Sequence, residues 1–149
     1  MNVSDCKYEI KQEVVDTLQS YAQHEGYELC GVLTGSDVGE KRYRISWVSP
    51  PCVKSNTRSG CERDATMANQ YVKDDYERSE HTRSYIGEWH THPEKVPNPS
   101  TVDYGSIVDN YQTATIVFPF LFMVIVGTES LHVSVYNGEE FVEIEPEVV

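Results

Sequence analysis

The sequence predicts an α/β fold: a mixed β-sheet flanked by helices. Three observations predict it. Helical periodicity alternates with short strand-like runs early in the chain, and strands dominate its end. Phe120 to Val126 is apolar on both faces, as expected of a central strand covered on each side. Gly87-Glu88-Trp89-His90-Thr91-His92-Pro93 carries two histidines at strand spacing, before a proline-rich loop and a helix start.

The elements follow in order. Lys7 to Gln23 reads as an amphipathic helix, with Ile10, Val14, Leu18 and Tyr21 on its inner stripe and His24-Glu25-Gly26 as its stop. Glu28 to Thr34 is a short buried strand closed by Gly35, and Ser36 to Glu40 is a turn. Arg42 to Ser49 alternates, with Tyr43, Ile45 and Trp47 on one face, and pairs antiparallel to the strand before it until Pro50-Pro51 ends it. Cys52 to Cys61 is polar and reads as a mobile loop near the site entrance. Glu62 to Ser79 is a helix with Ala65, Ala68, Tyr71 or Val72, and Tyr76 inward. Tyr85 to His90 is a strand; Glu88 and Trp89 are assigned to the face opposite its histidine. Ser100 to Tyr111 is a helix with Ile107, Val108 and Tyr111 inward. Thr113 to Val117, Phe120 to Val126, Leu131 to Tyr136 and Glu140 to Glu145 are strands, the last two joined by the hairpin signal Asn137-Gly138.

The 149 residues suit one domain, 1–149, with one real core. Acidic residues number 24 against 12 basic ones, a net charge of −12. Such a surface disfavours nucleic acid and anionic membrane, which both call for a basic footprint. The longest apolar run, Ile116 to Val126, is too short to span a bilayer, and no secretory leader is recognisable, so a cytoplasmic location is expected. Cys6, Cys30, Cys52 and Cys61 form no C-x2-C pair and are expected to be reduced thiols there. Cys30 reads as a small core residue, and Cys52 with Cys61 is the pair that oxidation could join. His24 and His81 read as solvated. Arg58 and Arg63 read as surface charges, or as groups that hold a substrate carbonyl or tail.

The chemistry gathers in one pattern, H-x-H-x7-S-x2-D. His90 and His92 lie on one face of a strand and can meet one ion. Ser100 is a good N-cap for the following helix, and Asp103, at its N3 position, can swing back toward the histidines. Two nitrogens and one carboxylate suit Zn²⁺ with a fourth position left for water. The bland readings are two solvated histidines and a capping box, and each half alone would fit them.

His90-Thr91-His92-Pro93, Ser100 and Asp103 resemble the JAMM signature of the JAB1/MPN metalloproteases, and Glu28-Leu29-Cys30-Gly31-Val32-Leu33-Thr34-Gly35 resembles that family's upstream glutamate segment. The resemblance runs from about Val14 to about Phe141. Gly-Glu-Trp-His-Thr-His-Pro is similar to bacterial members found with ubiquitin-like conjugation systems, including those of CBASS anti-phage operons. It implies the JAB1/MPN fold, related to the cytidine deaminase architecture. Deaminase chemistry itself is disfavoured, because Pro51-Cys52 lacks the second cysteine of P-C-x-x-C.

The resemblance also implies a zinc metallopeptidase with His90, His92 and Asp103 as ligands and Glu28 as general base on the attacking water. Ser100 would donate to the oxyanion. Its hydroxyl would then choose between capping and catalysis. The implied substrate is an isopeptide or peptide bond after the C-terminal tail of a ubiquitin-like protein, with a nucleotidyltransferase-type protein among the conjugated targets. Processing of a sulfur-carrier or ubiquitin-like precursor is the second enzymatic reading. A metal-free MPN interaction scaffold is the reading from another class; such modules lack ligands that this chain keeps.

Overall fold

A computed structural model describes residues 2–149. Its strands are β1 (Lys7–Ile10), β2 (Cys30–Gly39), β3 (Arg42–Val48), β4 (Val53–Thr57), β5 (Gly60–Arg63), β6 (Ser84–Thr91), β7 (Leu121–Val126), β8 (Leu131–Tyr136), β9 (Phe141–Glu143) and β10 (Glu147–Val148). The helices are α1 (Gln12–Ser20), α2 (Ala65–Arg78) and α3 (Thr101–Thr113). Eight strands form one mixed sheet in the order β10-β1-β3-β2-β6-β7-β8-β9, and β4 with β5 forms a separate hairpin. No helix among the described residues is long and apolar enough to cross a membrane.

Helices cover both faces. Val14 and Leu18 of α1 pack with Leu33, Trp89, Phe122 and Val124 on one side. Ile107 of α3 packs on Leu121, Met123 and Ile125, and Ala68 of α2 on Val32 and Cys52, on the other. β7 therefore supplies alternate residues to two cores, and all six of its residues are buried. Trp89 lies under α1, its ring stacked on Tyr21 at 5.0 Å between centroids, a contact worth about 1 kcal/mol beyond its area. β6 and β7 are parallel neighbours, so the chain must cross over between them, and α3 is that crossover. The crossover brings the first turn of α3 back beside the end of β6.

Several local expectations change. Lys7 to Ile10 is not the first turn of a helix but β1, parallel to β3. Ile10 is spaced by two from Tyr8 and by four from Val14, so it fits either period, and tertiary contacts select the strand. Tyr8 meets Phe120 and Phe122 edge to face, and buried Glu9 pairs with Arg44 at 2.8 Å. Ser36 to Glu40 continues β2 as far as Gly39, and the turn falls on Glu40 and Lys41, both at positive φ. Thr113 to Val117 is not a strand: α3 runs through Thr113, and Pro119 cannot donate to a ladder. In α2 the inner stripe ends on Asp75, while Tyr76 faces out. The acidic tail is not wholly free, because β10 pairs in parallel with β1 at the sheet edge.

Cys52 to Cys61 is an antiparallel hairpin rather than a mobile loop, and the cysteines are not all thiols. Cys30 is joined to Cys61, with their Cα atoms 6.1 Å apart, while Cys6 and Cys52 are buried thiols. The partner of Cys61 is the cysteine across the strand pair from His90, since Cys52 sits at the base of the hairpin with its N–H on the Cys30 carbonyl. The bond closes a separation of 31 residues. Its reduction is expected to lower stability by about 3 kcal/mol, read as a shift of the urea midpoint on adding dithiothreitol. An unchanged midpoint would show that the bond contributes nothing.

Asp75, fully buried, holds α2 to the sheet. It accepts from Thr34 Oγ1 at 2.5 Å, from Arg83 at 2.6 and 3.0 Å and from Arg78 at 2.8 Å. Burial pushes its carboxyl up, but the hydrogen bonds from Arg83, Thr34 and Arg78 outweigh it and hold the pKa below the ordinary value. A lowered folded pKa means that the stabilisation is present above the unfolded carboxylate's range near 4 and is lost as pH falls through the folded value. Asp75→Asn is expected to cost about 3 kcal/mol, the low end for a broken buried pair because water still reaches both arginines. The cost should shrink toward pH 3 in urea titrations; a pH-independent cost would mean that packing, not charge, is what Asp75 supplies.

Candidate metal centre

The site lies where β2 begins and β6 ends. The register sets Cys30 of β2 opposite His90 of β6, so Glu28, just before β2, sits beside the histidines that end β6. Leu29 N–H donates to Thr91 Oγ1 and Thr91 N–H to the Leu29 carbonyl, each at 2.9 Å, which locks the two segments together. The hairpin holds Glu28 from the other side: Glu28 N–H donates to the Thr57 carbonyl at 2.8 Å, and Asn56 Nδ2 donates to the Glu28 carbonyl at 2.7 Å. Gly31 lies in close van der Waals approach to Trp89 and Ser49, with no room for a Cβ.

Across from these, α3 opens with a full capping box. Ser100 Oγ accepts from Asp103 N–H at 3.1 Å, and Asp103 Oδ2 accepts from Ser100 N–H at 2.8 Å. The box aims Asp103 inward. Its Oδ1 is 3.1 Å from His90 Nε2 and its Oδ2 is 3.2 Å from His92 Nε2. Glu28 Oε1 is 3.4 Å from His92 Nε2. One ligand atom from each of Glu28, His90 and His92 lies within 4.8 Å of the others.

These four side chains fit a metal ion. His90 Nε2 is buried and has no well-directed hydrogen bond, despite the nearby carboxylate, as befits a nitrogen lone pair meant for another partner. Glu94 Oε1 lies 2.9 Å from His92 Nδ1. A carboxylate on the far nitrogen is the support that ligating histidines usually have, and it leaves Nε2 to face the site. Two imidazoles with carboxylate oxygens are a zinc donor set.

Electrostatics of the protein alone show how closely the groups interact. Glu28, 2% exposed, is pushed up to about 7, by burial first and by the Asp103 charge, against the pull of His92. The Asp103 hydrogen bond raises His92 to about 9. Burial raises Asp103, but contact with His90 and His92 holds it well below the usual carboxylate range.

The structure thus brings together all five residues singled out in the sequence: Glu28, His90, His92, Ser100 and Asp103. The capping bond uses a lone pair of Ser100 and leaves its hydroxyl proton uncommitted, so capping and donation to a substrate do not compete. His24 and His81 are exposed, and His81 stacks on Tyr76. Trp89 points to the α1 side, as its position in the strand predicts.

Glu88 is a correction. Residues two apart on a strand share a face, so Glu88 lies on the His90 side, not opposite it. There it accepts from Arg63 Nε and from Tyr85 Oη, the latter at 2.5 Å. Arg63 is accordingly a partly buried partner and not a free surface charge. Glu94, Thr91 and Asn56 escaped the sequence reading. Glu94 could have been found, because it follows His92 at the same spacing of two.

A groove of about 780 Å³ passes over the site, between β5 from Gly60 to Arg63 and α3 from Val102 to Asn110, with Glu88 and His90 at its floor.

A mixed sheet covered on both faces, with a glutamate, two histidines and an aspartate gathered where β2 begins and β6 ends, defines an α/β protein of JAB1/MPN architecture. The chain belongs to the prokaryotic homologues of the JAB domain, whose family model matches residues 11–141. A CD-NTase/cGAS isopeptidase of Vibrio cholerae serotype O1 is 37% identical over 105 residues, which cover 69% of this chain and 67% of that protein. A protein of the same name from Escherichia coli is 38% identical over 102 residues, covering 66% and 65%. The matches thus span about two thirds of the length of these relatives. The solution structure of protein DSY2949 from Desulfitobacterium hafniense shares the fold, with a TM-score of 0.66 at 17% identity over 95% of this chain and 92% of that one.

Proposed function

We propose that the chain is a zinc-dependent isopeptidase that acts in the cytoplasm on conjugates of a ubiquitin-like protein, among them conjugates of a nucleotidyltransferase-type protein. The observation that carries this reading is the convergence of Glu28, His90, His92 and Asp103 beside a groove of about 780 Å³. The names of the Vibrio and Escherichia relatives support the substrate class. A zinc ion held by His90, His92 and Asp103 would supply Lewis-acid polarisation of the scissile carbonyl and a more acidic water.

The chain's own residues would do the rest. Glu28 takes a proton from the attacking water and passes it to the leaving amine. The Ser100 hydroxyl donates a hydrogen bond to the oxyanion, a contribution of about 3 kcal/mol in comparable sites. Glu94 holds His92 in the tautomer that presents Nε2. Buried Trp89 and Cys30, with Cys61, wall the site.

The test is to incubate the protein with a lysine-linked conjugate of the ubiquitin-like protein and with a C-terminally extended linear precursor of it. Faster release from the conjugate supports the isopeptidase reading, and faster cleavage of the linear form favours precursor processing. Loss of neither substrate, with zinc bound, would leave an interaction module.

A further inference from the structure

The groove does not end at the candidate metal centre. It continues along β6 and α3 to a second cluster that the chemistry above leaves unused. Glu88 precedes His90 by two residues, about 7 Å along a strand. Asn110 lies about two helical turns beyond Asp103, about 11 Å along α3. Between them Arg63 reaches in from β5. Its Nε donates to Glu88 Oε1, and its Nη2 donates to Asn110 Oδ1 at 3.1 Å.

The hydrogen-bond inventory of this cluster is one-sided. Arginine has donors only. Asn110 must therefore present its carbonyl oxygen to Arg63, which leaves its Nδ2 hydrogens free. Arg63 has five N–H groups, of which Glu88, Asn110 and Tyr85 engage three, and no partner is seen for Asn110 Nδ2 among the described residues. Each Glu88 oxygen already accepts one hydrogen bond, from Arg63 or from Tyr85 Oη at 2.5 Å, and its side chain is largely buried. The cluster thus offers free donors from Arg63 and Asn110. It is also close to neutral, because Arg63 and Glu88 cancel, and Glu62 and Asp109 stand nearby on the groove. Free donors in a neutral to acidic setting suit a carbonyl oxygen better than a carboxylate or phosphate.

We infer that Arg63 and Asn110 form a subsite that takes a main-chain carbonyl of an extended substrate segment, two residues on the acyl side of the scissile bond. The inference rests on the proposed isopeptidase reading for the identity of that segment. The spacing selects the acyl side. An extended chain places its carbonyl two residues upstream about 7 Å from the reacting one, whereas a lysine side chain runs as bare methylenes over that distance. Glu88 is a positioning residue: it fixes the Arg63 fork, and Tyr85 fixes Glu88. The subsite would also set register, so that the scissile carbonyl and not its neighbour meets Glu28 and Ser100.

The test is a chemical cycle on binding. The probe is a fluorescein-labelled octapeptide amide ending in Leu-Gly-Gly, titrated against the Glu28→Gln protein so that cleavage does not intervene. A second probe replaces the third carbonyl from its end by a methylene. Replacement is expected to raise Kd about tenfold, and to change it less than twofold once Arg63→Ala is added. Equal losses with and without Arg63, no loss in either, or no binding of the intact probe would overturn the subsite.

Arg63→Ala leaves Glu88 buried without its partner, which costs stability. Asn110→Ala gives a second arm with the same expected pattern, and the comparison of the two probes on the Arg63-containing protein needs neither variant. Hydrolysis is read separately. Arg63-dependent binding to a wild-type protein that cleaves no conjugate keeps the subsite and removes the isopeptidase reading.

Discussion

Glu28→Gln is expected to lower hydrolysis on the order of a thousandfold while leaving zinc content and thermal unfolding unchanged. The prediction follows from what the two side chains share. Glutamine keeps the shape of glutamate and can stay in the buried slot that Asn56, Thr57 and Thr91 build around residues 28 and 29. It cannot take a proton from water. Burial helps the native carboxylate in this task, since a group pushed up to about 7 is a better base than an exposed glutamate.

The alternative is that Glu28 is itself a ligand, because its Oε1 lies as near to His92 Nε2 as a ligand oxygen would. The measurement that separates the two is zinc per protein by elemental analysis, made beside turnover of a conjugate. An inactive variant that keeps its zinc supports the general base. One that loses zinc transfers Glu28 to the ligand set, and the assignment of Asp103 must then be reconsidered.

The sequence carried the architecture well where pattern and tertiary environment agree. Phe120 to Val126 is apolar at nearly every position and became the doubly buried β7. His90 and His92 share strand spacing, Ser100 and Asp103 share cap spacing, and these short-range rules placed the side chains correctly. The failures came where a local pattern had two readings and distant contacts chose between them. Ile10, Val14 and Leu18 satisfy a helical period, yet Ile10 belongs to a strand because Glu9 finds Arg44 and Tyr8 finds two phenylalanines.

The Cys52 to Cys61 segment is polar, and nothing local says that it folds into a hairpin over Glu28 and is tied to Cys30. That pairing depends on where β2 and β5 lie in space, which spacing along the chain does not encode. Glu88 is a different kind of failure. Strand alternation puts it on the same side as His90, and its burial among Arg63, Tyr85 and Asn110 could have been anticipated in part from that rule alone.

His92→Ala and Asp103→Ala are expected to lose bound zinc altogether, and with it all measurable hydrolysis. Removing one of three ligands from such a site leaves too few donors to displace water from the ion. Glu94→Gln is the finer probe, because it touches no metal. It keeps a hydrogen-bonding group on His92 Nδ1 but removes the charge, and its zinc affinity is expected to fall 10- to 100-fold, about the range for an outer partner of a ligating histidine. Competition with a chromophoric chelator measures this directly.

Asp103→Ala also removes half of the α3 capping box, so a loss of about 1 kcal/mol of stability should accompany it. Asp103→Asn sorts the two effects, since its amide oxygen can still accept from Ser100 N–H. Retained stability with lost zinc would separate ligation from capping at this position. Zinc retained by both Asp103 variants would mean that Asp103 is only a cap, and that the ion is held by Glu28, His90 and His92.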